Sequence, residues 1–360
     1  MWEQIRSNRI RSTILVTGMA LILLLLGFFI GLAIGSWVVG LIIALLIWGI
    51  MTLIAYFQGD SIILSMAHAK KITPADNQRL FDVVEEMKIA SALEKMLDVY
   101  IIDDPALNAF ATGRDPNHSA IAITSGLLQI LNRDELQGVI GHEISHIKNR
   151  DVRLMSLLTV LLGTIVILAW YAWMFAFLGA ANAGAGNTSS GRSSSRNRGR
   201  GNSTGGNGGG GIQILVAIFA LILAILAPIF AQLIYFAVSR KREYLADACS
   251  ALYTRYPEGL ASALEKLSRS ETQLKSANKA TAPMYIINPF KKKGMSLSDL
   301  TSTHPPTADR IRILRSMAGG SYADYEKAYE QTTGKGGMIP PSALTGEGSG
   351  VPLRKPLANE

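Results

Sequence analysis

The chain has 360 residues, 49% of them hydrophobic and 17% charged, with 35 Lys and Arg against 27 Asp and Glu for a net charge of +8. This is too apolar for an ordinary soluble domain, and the basic excess forms no stripe interleaved with aromatics, so no nucleic-acid partner is expected. The single cysteine, Cys249, rules out a disulfide framework or a multi-thiolate zinc site, and is expected to pack as a small apolar side chain.

Arg6, Arg9 and Arg11 precede an uncharged apolar run over residues 13–34, and a second run follows over 37–57 after Gly35-Ser36. Each exceeds the roughly 20 residues that span a bilayer. The first is long, is followed at once by the second and lacks a small-x-small cleavage site, which favours a retained anchor over a cleaved signal. Residues 1–57 therefore read as a transmembrane hairpin with its N-terminus in the cytoplasm.

Residues 58–153 read as the first soluble part. Thr73-Pro74 is expected to cap a helix running to about Ser91, with Leu80, Val83, Val84 and Met87 on one face. Val99 to Ile102, Asn108 to Ala111 and Ser119 to Thr124 read as strands. A short helix near Leu127 to Leu131 leads to a longer one, on which Leu136, Val139, Ile140, Ile144 and Ile147 recur at helical spacing.

That helix carries His142-Glu143-Ile144-Ser145-His146. Positions i and i+4 lie one turn apart on one face, so both imidazoles can point at one metal. Glu143, one step round, is placed to act as general base toward the attacking water. With only five histidines in the chain, a chance H-E-x-x-H is improbable, and an ordinary polar helix face is the weaker reading. The helix is expected to continue directly into a third span, residues 154–179, with Trp170, Tyr171 and Trp173 as an interfacial belt.

Residues 180–211 are rich in Gly, Ser, Asn and Arg and read as a flexible linker. A fourth span covers 212–238 and ends at Ser239-Arg240-Lys241-Arg242, a cytoplasmic marker. A catalytic zinc usually has three protein ligands, and Glu243, where the fourth span ends, is the best third candidate. Asp247, one turn on, can accept a hydrogen bond from a ligating imidazole. Sharing one metal requires an even number of crossings between His142 and Glu243. Two full crossings are expected, although they put Arg192, Arg196, Arg198 and Arg200 on the outer side, where cations are disfavoured.

Residues 239–318 read as the second catalytic part, with helices near 257–267 and 305–317, and 319–360 as a largely disordered tail apart from a helical turn at Tyr322 to Tyr329. His304, before Pro305-Pro306, and Arg310 are candidates to stabilise the oxyanion of peptide hydrolysis. Two imidazoles and a carboxylate favour one zinc ion per chain. Asn108, Ala109, Phe110 and Ala111 are the candidate edge strand for an extended substrate.

Several motifs together resemble the HtpX-type membrane-bound zinc metalloproteases, relatives of the CAAX prenyl endopeptidases. They are Asn108 to Gly113, Asp134 to His146, Glu243 to Asp247, and Ser302 to Thr307 with Arg310. The resemblance implies an α+β zincin-like domain, mostly helical with a small sheet, on a four-helix transmembrane region. It implies His142, His146 and Glu243 as zinc ligands and Glu143 as general base. It also implies a multi-pass protein of the cytoplasmic (inner) membrane, its catalytic site facing the cytoplasm and its substrates misfolded or damaged membrane proteins. Prenyl-protein processing is the alternative, though four spans are few for that family's enclosed chamber. A site-2-type protease fits less well, because Lys148 to Asp151 follow the motif directly. The non-enzyme alternative is a membrane scaffold with a vestigial zinc site, which would have no use for Glu143.

Overall fold

The computed structural model describes residues 2–185, 209–236, 240–275, 281, 284–287, 305–344 and 354. In chain order the elements are α1 (Trp2–Ile34), α2 (Trp37–Met66), β1 (Lys70–Lys71), α3 (Gln78–Ala90), β2 (Asp98–Ile102), β3 (Ala109–Asp115), β4 (His118–Thr124), α4 (Ser125–Ile130), α5 (Arg133–Lys148) and α6 (Asp151–Ala185). Then follow α7 (Gly209–Phe236), α8 (Arg240–Thr254), α9 (Pro257–Arg269), α10 (Thr307–Arg315), α11 (Tyr322–Thr333) and α12 (Pro341–Leu344). The chain divides into two compact units. One comprises Met1–Leu15, Thr52–Val160 and Tyr235–Glu360, the other Val16–Met51 and Leu161–Ile234.

In the second unit α1 and α2 pair through glycines. A Cβ at Gly27 would lie 2.4 Å from the Ala44 Cβ, and one at Gly40 2.7 Å from the Gly31 Cα. Small residues four apart let two backbones approach closely, which drives helix pairing where lipid removes the hydrophobic incentive. Among the described residues three helices are long and apolar enough to span a bilayer, Thr13–Leu32, Trp37–Met66 and Asp151–Met174. The expected fourth span falls on α7, whose apolar part Leu221–Leu233 is shorter as described, so its crossing stays an expectation. Trp170, Tyr171 and Trp173, the expected interfacial belt, are exposed.

The first unit is built on a four-stranded sheet of order β1-β2-β4-β3, with β2 and β4 parallel and the outer pairs antiparallel. Side chains alternate across its two faces. Val99, Ala109, Ala111, Ile121 and Ile123 join the main core with α3, α5, α8 and α9, while Ile102, Phe110, Ala120 and Ala122 pack on the opposite face with Ile63, Leu64 and Tyr285. Helix α2 thus runs on past residue 57, and its last turns belong to the catalytic unit because Ile63 and Leu64 are buried there.

Three local expectations are corrected. Thr73 does not cap α3. Its N–H and hydroxyl both donate to Asp76 in a turn of their own, and Asn77 caps the helix by accepting from the Leu80 N–H. The active helix does not run straight into α6. It stops at Asn149, Arg150 adopts φ +61°, and α6 starts afresh at Asp151. The expected helical turn at Tyr322 to Tyr329 is a full helix, Tyr322–Thr333, and a further turn covers Pro341–Leu344. Ser321 and Asp324 form a capping box, and Tyr322, Tyr325 and Tyr329 are buried in the main core. Glu326 then accepts the backbone N–H groups of Met338 and Ile339 at 3.1 and 2.7 Å, holding the segment that follows.

Candidate metal centre

Helix α5 begins with a capping box in which Asn132 and Glu135 exchange side-chain and backbone hydrogen bonds. Glu135 also accepts from Ser262 and Lys266 on α9, at 2.6 and 2.7 Å, which ties the start of α5 to its neighbour. Gly138 lets α9 approach closely, since a Cβ there would lie 2.6 Å from the Leu260 nitrogen. Ser250 on α8 donates to the Gly138 carbonyl at 2.6 Å. Two neighbouring helices, α8 and α9, therefore fix α5.

On this helix His142 and His146 bring their Nε2 atoms to 3.2 Å. Glu243 on α8 places Oε1 3.5 Å from His146 Nε2 and Oε2 3.7 Å from His142 Nε2. A tetrahedral zinc with bonds of about 2.0–2.1 Å separates its donor atoms by roughly 3.3 Å. Donor spacing and donor chemistry both fit such an ion. Among the described residues this is the one group of three or more His, Cys, Asp or Glu side chains that could hold a metal.

His142 is fully buried and its Nδ1 donates to Asp247 Oδ1 at 2.9 Å, leaving Nε2 as the free donor atom. Burial drops its pKa to about 4, with Asp247 opposing and Arg310 adding, so the ring is neutral. Burial also works against a charged His146, but Asp151, Glu243 and Glu143 outweigh it and raise that ring to about 9. A metal on His146 Nε2 would have to displace the ring proton there. Glu143 is buried beside them and accepts the Ala111 N–H of β3. Burial raises its carboxyl to about 7, against the pull of His146 and with Glu243 adding to the rise. A carboxyl poised there can take and return a proton at neutral pH.

Arg310 sits elsewhere than expected for an oxyanion stabiliser. It is the largest fully buried side chain among the described residues. Its Nε and Nη2 donate to the two oxygens of Asp247 at 2.8 and 2.7 Å, and Nη1 donates to the Ile286 carbonyl at 3.2 Å. Its Nε and Nη2 are thus committed to Asp247 behind His142, and its Nη1 lies 3.8 Å from Glu243 Oε2. His304 lies outside the described residues, as does most of the expected linker.

Asp151 is a site residue that the sequence reading missed. Its Oδ2 lies 3.3 Å from His146 Nδ1. Five residues separate the two, about 140° round a continuous helix, and only the left-handed Arg150 returns Asp151 to the imidazole. An Asn-Arg break directly after the motif was the one available signal.

Residues 74–318 match the family model for "Peptidase family M48". The chain belongs to peptidase family M48. A protease HtpX homologue of Dictyoglomus turgidum is 43% identical over 320 residues, covering 88% of this chain and 94% of its own. One from Streptococcus agalactiae is 40% identical over 318 residues, covering 88% of this chain and all of its own. A solved structure, that of S. mikatae Ste24p, aligns over 87% of this chain and 67% of its own, with a TM-score of 0.44 and 19% identity. This member of the family is a membrane metalloprotease, as its relatives and its apolar helices show. The His142, His146 and Glu243 cluster is the metal-site candidate of the M48 peptidase.

Proposed function

We propose that the protein is a zinc endopeptidase that cleaves extended segments of misfolded or damaged membrane proteins at the cytoplasmic face of the membrane. The observation that carries this reading is Glu143, a buried carboxylate set between three convergent donor atoms and an edge strand. A structural metal site would have no use for it. His142, His146 and Glu243 would hold the ion, for which two imidazoles and a carboxylate favour zinc. When bound, zinc supplies Lewis acidity, polarising a peptide carbonyl and acidifying water.

Glu143 acts as general base toward the attacking water and then returns the proton to the leaving amine nitrogen. The N–H of Ala111 orients its carboxylate, and Asp247 keeps the His142 tautomer with Nε2 free. Substrate binding falls to β3, an edge of the sheet. The Thr124 N–H bonds to the Asn108 carbonyl, so in this antiparallel ladder Ala109 and Ala111 turn their peptide groups outward. Ile286 already takes the Ala109 carbonyl. With the Ala111 N–H given to Glu143, a substrate strand pairs from the Ala111 carbonyl toward Gly113, through main-chain bonds that tolerate many sequences. Asn108 to Phe110 frame the inner end of that edge. The cytoplasmic orientation rests on Arg6, Arg9 and Arg11 before the first span and on exposed Arg240 and Lys241 beside the site.

The test uses purified full-length protein and an unfolded membrane-protein substrate, with chelator and zinc add-back. Wild type cleaves, loses activity to chelator and regains it with zinc. Glu143→Gln should retain the metal and lose cleavage. Undiminished cleavage by that variant sinks the mechanism.

A further inference from the structure

Helix α8 delivers more than a ligand and a hydrogen-bond acceptor. Glu243 faces the two imidazoles, Asp247 meets His142, and Arg242, one residue before the ligand, points its guanidinium at Asp151. The Arg242 Nη1 lies 3.3 Å from Asp151 Oδ1, and the two side chains are 6% and 4% exposed. Nε and Nη1 of Arg242 are buried without a hydrogen-bond acceptor, and the Asp151 carboxylate is the counter-charge that its Nη1 faces. Asp151 uses its other oxygen on His146 Nδ1, 3.3 Å away.

Isolated buried charges cost several kcal/mol each, so a near-buried arginine is retained only with a partner. On the far side of the site Arg310 stands behind Asp247, which stands behind His142. The two series match group for group, although they come from different elements. Asp247 and Arg310 belong to α8 and α10, and Asp151 and Arg242 to the start of α6 and to α8.

We propose that Asp151 and Arg242 form a second orienting pair, in which Asp151 holds the His146 ring with Nε2 toward the metal and Arg242 holds the Asp151 carboxyl group in place. Neither touches substrate, so both are positioning residues. The inference rests on the metal reading above. It gives the left-handed break at Arg150 a purpose, because an uninterrupted helix would carry Asp151 away from His146. It also links the site to α6, the helix that continues as a candidate span.

The test measures zinc affinity by chelator competition on the full-length protein in detergent, with the visible spectrum of the cobalt-substituted form and the melting temperature alongside. Asp151→Asn keeps the shape and an acceptor oxygen but removes the charge. It should bind zinc ten- to a hundredfold more weakly, the usual cost of losing an outer partner of a metal ligand, and shift the cobalt bands. Arg242→Met should weaken binding in the same direction, and Arg242→Lys should restore part of that loss. In the double variant Asp151→Asn/Arg242→Met the losses should not add, because both act through one ring. Wild-type affinity and an unchanged cobalt spectrum in Asp151→Asn, measured on folded protein, overturn the proposal, as do fully additive losses. Failure of wild type itself to bind zinc overturns the metal reading instead, so the two failures are distinguishable.

Discussion

Replacing Arg310 with methionine removes a fully buried guanidinium and leaves Asp247, also fully buried, with the His142 Nδ1–H but without its cationic partner. Breaking a buried pair from one side costs about 3–5 kcal/mol, because the remaining charge is uncompensated. At roughly 2–4 °C per kcal/mol for a unit of this size, the melting temperature should fall by about 6–20 °C. The Ile286 carbonyl loses its donor as well. Zinc affinity should fall ten- to a hundredfold, because Asp247 no longer holds the imidazole firmly. The double variant Arg310→Met/Asp247→Leu replaces both charges with apolar groups and should recover much of the stability, since a buried pair is often worth no more than its hydrophobic replacement. It should not recover zinc affinity. Thermal melts in detergent, with and without chelator, read both quantities. A single variant that melts like wild type, or a double variant no more stable than the single, refutes this account of Arg310.

Three other outcomes follow from the same geometry. Gly138→Ala should lower stability by about 1–3 kcal/mol, because the added methyl meets the α9 backbone 2.6 Å away, and a urea or thermal melt reads it. Cys249 is fully buried, and burial raises its thiol above the usual range despite hydrogen bonds from Tyr322 and Asn149. Its thiolate is therefore scarce at pH 7 to 8.5 and only gains population as pH rises further, so maleimide should label it after denaturation and not before. Zinc at a thousand times its dissociation constant should stabilise the fold by about 4 kcal/mol, an effect lost in His142→Ala.

The parts of the site legible in the sequence depend on spacing within one helix. His142 and His146 are one turn apart on α5, and Glu243 and Asp247 one turn apart on α8, so periodicity alone places each pair on a common face. Three strands and most helices follow equally from alternation and capping residues. What escaped depends on tertiary direction. Arg310 sits on a short helix whose docking turns its guanidinium toward Asp247, and no local pattern encodes that turn. Asp151 reaches His146 because Arg150 breaks the helix with a positive φ, a choice made by the fold and not by the residue's own preference. After residue 319 the helical turn at Tyr322 to Tyr329 is legible in the spacing of Tyr322, Tyr325 and Tyr329, but its full length and its burial in the core depend on tertiary packing, and the surrounding Gly and Pro content gives no sign of them.

The central claim is that His142, His146 and Glu243 hold one catalytic zinc while Glu143 does chemistry without binding it. Zinc content of purified protein, measured beside cleavage of an unfolded membrane substrate, tests this most directly. Wild type and Glu143→Gln should each carry about one zinc per chain, with cleavage in the first alone, and Glu243→Gln should lose most of its zinc and all of its activity. Full zinc content in Glu243→Gln, or loss of zinc in Glu143→Gln, would contradict the assignment.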